Sequence, residues 1–315
     1  MKRMKYLLPC LVMAFSVCSD ESEPVQPATD TDNVAMTVKT EIVGSRAMIT
    51  DSRFPAGSAL GITLVENKTN VFTYDGLTDG YYNVQYTARG TYPDQTWGPA
   101  DEPIYLSATD GRALAYYPYS VDETDFKALT LKANGQTDYM YTSWVAPINN
   151  LLSEATFQMN HAMTGIRISL KRGSYTGAGE VKEIRLTSLG IGVEGTLDAT
   201  TGIISDVKVG EVNTYMMKQL FEKFLVESDD YTHTLLMAVP VPSVRDDLKI
   251  TVVIDDRTYE AEGIMAEAFA SGKMYTFKLS LENTALVVSG QVDITDWIED
   301  TTASTDNGGV LKPTA

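Results

Sequence analysis

The sequence predicts an all-β protein of the β-sandwich class. After residue 34, apolar residues recur at every second position in many short segments, which is the period of a strand with one buried face. Turn-forming pairs such as Asp75-Gly76 and Asn134-Gly135 separate these segments. Many short strands joined by frequent turns are typical of sandwiches. The length of 315 residues favours two domains, because single cores seldom grow beyond about 250 residues.

The chain begins with a secretory signal. Residues 1–5 are basic, and the apolar run 6–17 is too short to cross a ~30 Å bilayer core as a helix. The run ends at Val17-Cys18, which resembles a bacterial lipobox, although Val17 stands where Gly or Ala is usual. We therefore predict a lipoprotein signal peptide at 1–17 and a lipid on Cys18. The alternative is an ordinary signal with an incidental cysteine.

A solvated tether and a first strand follow the signal. Residues 19–33 are acidic or rich in Pro, Thr and Asp, with almost nothing to bury. Next, Met36, Val38 and Ile42 alternate with polar residues and predict the inward face of a strand. Small residues then surround Arg46, which would let an extended backbone enter a protease cleft. An ordinary surface arginine is the alternative reading of this residue.

The rest of the chain repeats the strand pattern, with one exception. Segment 212–225 places apolar residues at spacings of three and four, which predicts a short helix. The residues that carry this spacing are Met217, Leu220, Phe221 and Phe224. A stretch without strand period precedes a strong strand at Phe157, so we predict a domain boundary near Glu154. This divides the folded part into domains at 47–154 and 155–315.

The composition argues against several classes of function. Asp and Glu number 42 against 25 Lys and Arg, a formal charge of −17, so phosphate backbones find no basic partner and nucleic acid is not expected. The cysteines, Cys10 and Cys18, both precede the folded body. No disulfide or thiolate metal site is therefore expected there. His161 is interpreted as a core residue and His233 as part of a solvated loop, and we expect no enzyme, cofactor or metal.

Two sets of residues are candidates for carbohydrate chemistry. An aromatic set could stack on pyranose rings, with packing inside a sandwich as the favoured alternative. It comprises Tyr81, Tyr82, Tyr86, Tyr92, Trp97, Tyr116, Tyr117 and Tyr119. The acidic pairs Asp255-Asp256 and Asp293 with Asp296 could serve glycoside hydrolysis if they converged across a cleft. Roles in turns and at strand ends are the favoured alternative for these carboxylates.

A series of short motifs gives the chain a specific resemblance. Behind the signal and the first strand they lie at 54–62, 97, 103–106 and 115–119 in the first half, and at 157–166, 272–277 and 292–297 in the second. In this order they resemble the fimbrillin family, the pilin subunits of Bacteroidota type V fimbriae. The acidic run behind Cys18 is likewise similar to the surface-export signal of Bacteroidota lipoproteins.

The resemblance implies two transthyretin-like β-sandwich domains and assembly by strand exchange. A lipidated precursor would reach the outer surface, and an arginine-specific protease would cut between Arg46 and Ala47, with Arg53 as the alternative site. This would remove the tether and propeptide, 18–46, with its first strand. In the precursor, Met36, Val38 and Ile42 would fill a groove of the first domain from within the same chain. A strand from a neighbouring subunit would then replace them.

The first functional hypothesis is therefore a fimbrial subunit that serves cell adhesion at the outer membrane and cell surface. Its partners would be other fimbrial subunits and an arginine-specific surface protease, with a host or bacterial glycan or protein as a further candidate ligand. The membrane would be reached only through the N-terminal lipid. A second hypothesis is a monomeric surface lipoprotein that binds glycans, and a third is a surface glycosidase. The sequence leaves the role as stalk, tip or anchor open.

Replacing Cys18 by Ser tests the predicted lipid. The thiol is the only group at the end of the apolar run that can accept diacylglycerol, so the variant should lose acyl labelling and membrane association. Cell fractionation with radiolabelled fatty acid measures both, and Cys10→Ser is the matched control. Continued labelling of the Cys18 variant would show that the lipid is elsewhere.

Overall fold

The computed structural model describes residues 34–43, 54–68, 72–78, 80–90, 94–133, 137–188, 190–209, 213–216, 224–225, 232–242, 248–262 and 268–297. Regular structure in these ranges consists of β-strands, and no α-helix occurs among them. Among the same residues there is also no helix long and apolar enough to cross a membrane.

The first half of the chain contributes a curved sheet and several shorter strands. In chain order the strands are β1 (Val34–Ala35), β2 (Thr37–Ile42), β3 (Ala59–Glu66), β4 (Tyr81–Arg89), β5 (Thr96–Pro99), β6 (Tyr105–Leu106), β7 (Gly111–Tyr117), β8 (Leu129–Lys132), β9 (Met140–Tyr141), β10 (Val145–Ile148) and β11 (Glu154–His161). The main sheet has the order β2-β11-β9-β7-β3-β4-β5, and β10 pairs with β7 beside it. The two-stranded sheet β1-β6 stands apart.

The second half forms the sheets of a second sandwich. Its strands are β12 (Thr164–Arg172), β13 (Glu180–Ser188), β14 (Gly192–Asp198), β15 (Ile203–Val209), β16 (Asn213–Met216), β17 (Phe224–Leu225), β18 (Thr232–Ala238), β19 (Lys249–Ile254), β20 (Arg257–Ala261), β21 (Lys273–Leu281), β22 (Leu286–Val288) and β23 (Asp293–Asp296). One sheet runs β18-β12-β21-β22, with β23 paired to β21, and another runs β16-β13-β19-β20, with β17 paired to β13. A third, β15-β14-β8, takes β8 from the first half.

Two apolar clusters lie between these sheets. The first cluster includes residues of β2, β3, β7 and β11, such as Leu60, Ile62 and Phe157, all fully buried. The second cluster joins Ile168 and Phe277 of one sheet to residues such as Val252 of the facing sheet. Alternate residues of each strand therefore pack against the opposite sheet, which is the packing of a β-sandwich. The all-β fold class predicted from the period of two is confirmed.

The helix predicted over 212–225 is wrong for both described parts of that segment. Asn213–Met216 and Phe224–Leu225 are strands, and both pair antiparallel with β13. The intervening residues, among them Met217, Leu220 and Phe221, lie outside the described residues. Without this pairing the backbone of β13 would be exposed along one edge. Satisfying that edge outweighs the local helical spacing, because strand pairing is decided by tertiary contacts.

The domain boundary near Glu154 stays a prediction. The strand that begins there, β11, sends Ala155, Phe157 and Met159 into the first cluster. The residues that follow it, Ala162 and Met163, belong to the second cluster. β11 therefore connects the two cores end to end.

Phe277 tests the second core. Its ring is 1% exposed on β21, which pairs with β12 on one side. Replacing Phe277 by Ala removes a buried ring and leaves a cavity, so the free energy of unfolding should fall by about 3–5 kcal/mol. Chemical denaturation measures the change. Val287→Ala, at a 45% exposed position of the neighbouring β22, is the control and should change stability little. A Phe277→Ala protein as stable as the parent would contradict the packing described here.

Candidate functional site

The first strand is inserted in the first core with alternate side chains inward. Met36 and Val38 are each 4% exposed and Ile42 is 6% exposed, while Thr37 between them faces solvent. The three residues predicted as the groove plug thus point to the same side. Val38 and Ile42 lie in β2, and Met36 directly precedes it. The fourth inward residue is Thr40, also buried, and it introduces a hydroxyl into an otherwise apolar row.

Backbone hydrogen bonds hold the strand at both ends. β2 lies parallel to β11, with Thr37 opposite Glu154 and Ile42 opposite Met159. Beyond this ladder the Thr37 amide donates to the Ser153 carbonyl, and the Val43 amide donates to the Met159 carbonyl, each at 2.9 Å. Just before the strand, the Met36 amide donates to the Ile104 carbonyl at 2.9 Å. Without residues 36–43, the facing edge of β11 and the Ile104 carbonyl would lose these main-chain partners.

A tryptophan from the far end of the sheet closes the core around the first strand. Trp97 of β5 donates its indole N–H to the Thr40 hydroxyl at 3.1 Å. Since β5 and β2 are the two terminal strands of the main sheet, this bond brings its ends together. The Phe54 ring packs edge-on against Trp97 and Tyr117, with centroid distances of 5.3 and 5.0 Å. The sheet therefore curls around the first core until β2, at one end, meets β5, at the other.

Buried tyrosines support the strands behind this closure. The Tyr86 hydroxyl accepts a hydrogen bond from the Ile104 amide at 3.0 Å, and the Tyr74 hydroxyl accepts one from the Ser107 amide at 3.1 Å. Burial raises the pKa of Tyr86 and of Tyr117 above the ordinary value, so both phenols stay neutral. These rings fix the position of the backbone against which the first strand lies.

The aromatic set named as a sugar-stacking candidate is mostly structural. Tyr86, Tyr116 and Tyr117 are buried, whereas Tyr82 is 37% exposed. The Tyr116 hydroxyl donates to Asn83 Oδ1 at 2.8 Å, and burial raises its pKa to about 12. Tyr92 lies outside the described residues. The buried rings thus serve core packing, which was the favoured alternative.

The predicted processing residues lie outside the part of the chain that the structure describes. This applies to Cys18, Arg46, Ala47 and Arg53. The description stops at Val43, which is 44% exposed just after β2, and resumes at Phe54, which is 5% exposed beside Trp97.

The two histidines have different positions. His161 is buried at the end of β11, with its Nδ1 2.7 Å from Asp138 Oδ2 and its ring stacked on Trp297 at 4.4 Å between centroids. His161 thus links the end of β11 to Trp297, the residue that follows β23. His233 lies in strand β18 opposite Ser169, so the solvated loop predicted for it is wrong. The pairing of β18 with β12 includes His233, although the polar residues before it in the sequence indicated a loop.

The candidate carboxylate pairs serve local structure. Asp255 and Asp256 form the β19–β20 turn with positive φ angles of 47° and 62°. Asp255 accepts bonds from the Gly179 and Glu180 amides at 2.8 and 2.9 Å and from the Tyr175 hydroxyl at 2.7 Å. These bonds, led by that from Gly179, lower the pKa of Asp255. It is therefore an anchored turn residue and not half of a catalytic pair.

The two aspartates of the second acidic pair form ion pairs with lysines. Asp293 pairs with Lys278 at 2.7 Å, and Asp296 pairs with Lys273, along the exposed strand β23. Among the described residues no group of acidic, histidine or cysteine side chains is arranged to hold a metal ion.

One open cleft lies next to the point where the first strand ends. It has a volume of about 500 Å³ and is lined by residues that include Val43, Tyr141, Asn160 and Lys273. The stacked pair of His161 and Trp297 also lines it. The cleft thus lies at the second-core end of the groove.

Comparisons with known proteins agree with this architecture. Residues 45–297 match the fimbrillin-like family. A candidate cell adhesion protein from Bacteroides uniformis has a similar solved structure, with a TM-score of 0.64, 20% identity and coverage of 84% of this chain and 99% of that one. One from Bacteroides ovatus has a TM-score of 0.65, 18% identity and coverage of 85% and 99%.

A fimbrial protein from Bacteroides vulgatus has a TM-score of 0.53 at 14% identity and covers 83% of this chain and 99% of that one. No curated protein sequence matches the chain. At these identities the solved structures establish the fold, while the family match extends over most of the sequence. The chain therefore belongs to the fimbrillin-like family, whose members are structural proteins of cell-surface fimbriae rather than enzymes.

Proposed function

We propose that this chain is a fimbrial subunit that is exported as a surface lipoprotein and assembled by protease-triggered strand exchange, serving cell adhesion. The observation that carries the proposal is the closure of the first core by β2, a strand at one end of the main sheet whose covalent link to the rest of that sheet runs through the residues after Val43. A strand at this position can be removed without cutting the rest of the sheet. Its removal would open a groove of matching length.

The buried side chains indicate how strongly the body needs an occupant. Burying Met36, Val38 and Ile42 contributes roughly 5–9 kcal/mol together. That is comparable with the ~5–15 kcal/mol by which a whole domain is usually stable. A subunit that lost this strand would expose apolar surface and an unpaired edge of β11, and would gain stability by accepting a neighbour's strand.

The covalent link explains why the precursor would stay monomeric. A strand that belongs to the same chain has a high effective concentration at its own groove, so a strand from another molecule cannot compete. Cutting between Arg46 and Ala47 would remove this advantage. The plug formed by Met36, Val38 and Ile42 could then dissociate and be replaced.

Packing after the cleavage region favours Arg46 over Arg53 as the site. Cleavage after Arg53 would make Phe54 the new N-terminal residue, and its ring is buried against Trp97 and Tyr117. A protease would have to withdraw that ring to bind the peptide on both sides of the bond. Arg46 has small neighbours on both sides and follows the exposed Val43.

The remaining partners follow from the same scheme. A lipid on Cys18 and the tether to residue 33 would hold the precursor at the outer membrane until an arginine-specific protease cuts it. Other fimbrial subunits would then supply the strand that fills the groove. The solved structures described as fimbrial and adhesion proteins support a surface role of this kind.

Replacing Arg46 by Ala tests the trigger. Treating the wild-type precursor with an arginine-specific protease should release the segment that ends at Arg46, and oligomers should follow on size-exclusion chromatography. The variant should stay monomeric because its first strand remains covalently attached. Arg53→Ala is the matched control and should assemble like the wild type. Assembly of the Arg46 variant at the wild-type rate would reject the proposed trigger.

Replacing Thr40 by Val tests whether the first strand is the removable element. The variant keeps the shape of the side chain but leaves the Trp97 indole N–H without its acceptor, at a cost of about 1 kcal/mol. After cleavage, the first strand should dissociate roughly fivefold faster, as measured by loss of a fluorophore attached to the tether. Thr37→Val, on the exposed face of the same strand, should leave the rate unchanged. Equal rates for both variants would show that this bond does not hold the strand.

A further inference from the structure

The loop between β10 and β11 presents two leucines to solvent. Leu151 is 89% exposed, the highest value of any large apolar side chain among the described residues, and Leu152 is 53% exposed. We refer to this pair as the leucine tip. Apolar side chains exposed together in this way are a frequent sign of a protein interface.

Hydrogen bonds hold the leucine tip in one conformation. The side-chain oxygen of Asn149 accepts bonds from the amides of Leu151 and Leu152, both at 2.9 Å. Its side-chain nitrogen donates to Asp110 Oδ1 at 2.7 Å. The Asn150 amide donates to the Ser107 carbonyl at 2.8 Å, which ties the loop to the end of β6. The leucines are thus ordered before any partner binds, which lowers the entropic cost of contact.

The leucine tip stands at one end of the groove. The residue that follows it, Ser153, accepts the hydrogen bond from the Thr37 amide at the start of β2. At the opposite end of the groove, β11 continues through His161 into the second core. A strand that fills the groove must pass from one of these ends into the body of its own subunit. The end beside the leucine tip is the one that the second core does not occupy.

Cleavage would enlarge the apolar surface at the leucine tip. β1 pairs with β6, and the Met36 amide bonds to Ile104. If residues up to 46 leave, Ile104 loses the hydrogen bond from Met36 and Leu106 loses its pairing with Val34; both are now 0% exposed, and Tyr105 between them is 39% exposed. The Asn150–Ser107 hydrogen bond places the loop that carries the tip beside the residue that follows Leu106.

We propose that the leucine tip is a docking surface for a neighbouring subunit, a second copy of this chain, in the assembled polymer. The inference rests on the proposed strand exchange and adds to it a contact between the folded bodies. A second copy is the fitting occupant because the tip directly precedes Ser153, which binds the Thr37 amide at the end of the groove that such a copy would enter. A lipid surface fits less well, since cleavage would remove the anchor and the chain has a formal charge of −17.

The test compares assembly of Leu151→Ser with that of Ile203→Ser. Ile203 is 64% exposed on β15 beside Gly202 of the cleft, at the other end of the groove from the leucine tip, and is the matched control. Both precursors should melt like the wild type because neither side chain is buried. After cleavage, Leu151→Ser should need roughly tenfold more protein for half-maximal oligomer formation. This is the loss of affinity expected when the interface no longer buries one leucine side chain. Ile203→Ser should assemble like the wild type.

Cross-linking identifies the occupant directly. In a full-length chain with Cys10→Ser and Cys18→Ser, Leu151→Cys would be the only thiol and can carry a benzophenone. Irradiation after cleavage should give cross-linked dimers of this chain, and none before it. Equal assembly of Leu151→Ser and wild type, or cross-links only to added lipid vesicles, would overturn the inference while leaving strand exchange intact. Failure of the cleaved wild type to assemble would overturn both.

Discussion

The parallel pairing of β2 with β11 is the constraint on which the first half of the molecule depends. The main sheet curls until its terminal strands meet, and only β2 fills the gap between β11 and β5. A curled sheet with one strand missing would leave both an unpaired backbone edge and an uncovered core. The strand that closes the core is also the first strand of the main sheet in chain order. The stability of the first core and the proposed assembly by strand exchange therefore depend on the same few residues.

The single hydroxyl in the inward row of this strand fixes its register. A slip by one residue would turn Lys39 or Glu41 into the core and expose the apolar side chains, so the alternation alone forbids odd shifts. A slip by two would keep apolar residues inside but would move Thr40 away from the Trp97 indole. That donor would then lack its partner in a half-buried site, which is costly. The Thr40–Trp97 bond thus distinguishes registers that burial alone does not.

Patterns within single strands could be predicted from the sequence, whereas long-range pairings could not. The alternation of Met36, Val38 and Ile42 and the inward row from Tyr275 to Leu281 are local signals, and both match the observed burial. The pairing of β2 with β11 joins segments more than a hundred residues apart, and the pairing of β8 with β14 joins segments more than sixty residues apart. The helical spacing over 212–225 predicted the wrong conformation for both described ends of the segment, because both pair as strands with the edge of β13. Leu151 gave no periodic signal, since its exposure is a property of the loop.

Under the proposed strand exchange, the geometry of the groove also limits which strand could replace the first one. An occupant must offer apolar side chains at alternate positions in place of Met36, Val38 and Ile42, and a hydrogen-bond acceptor at the position of Thr40 to satisfy Trp97. It must also lie parallel to β11 to reproduce the present ladder, or else exchange that ladder for an antiparallel one of different spacing. A strand with a uniformly apolar inner row would fill the volume but leave the indole N–H unpaired. The first core therefore selects its occupant by a pattern of three apolar residues and one acceptor, a more specific requirement than hydrophobicity alone.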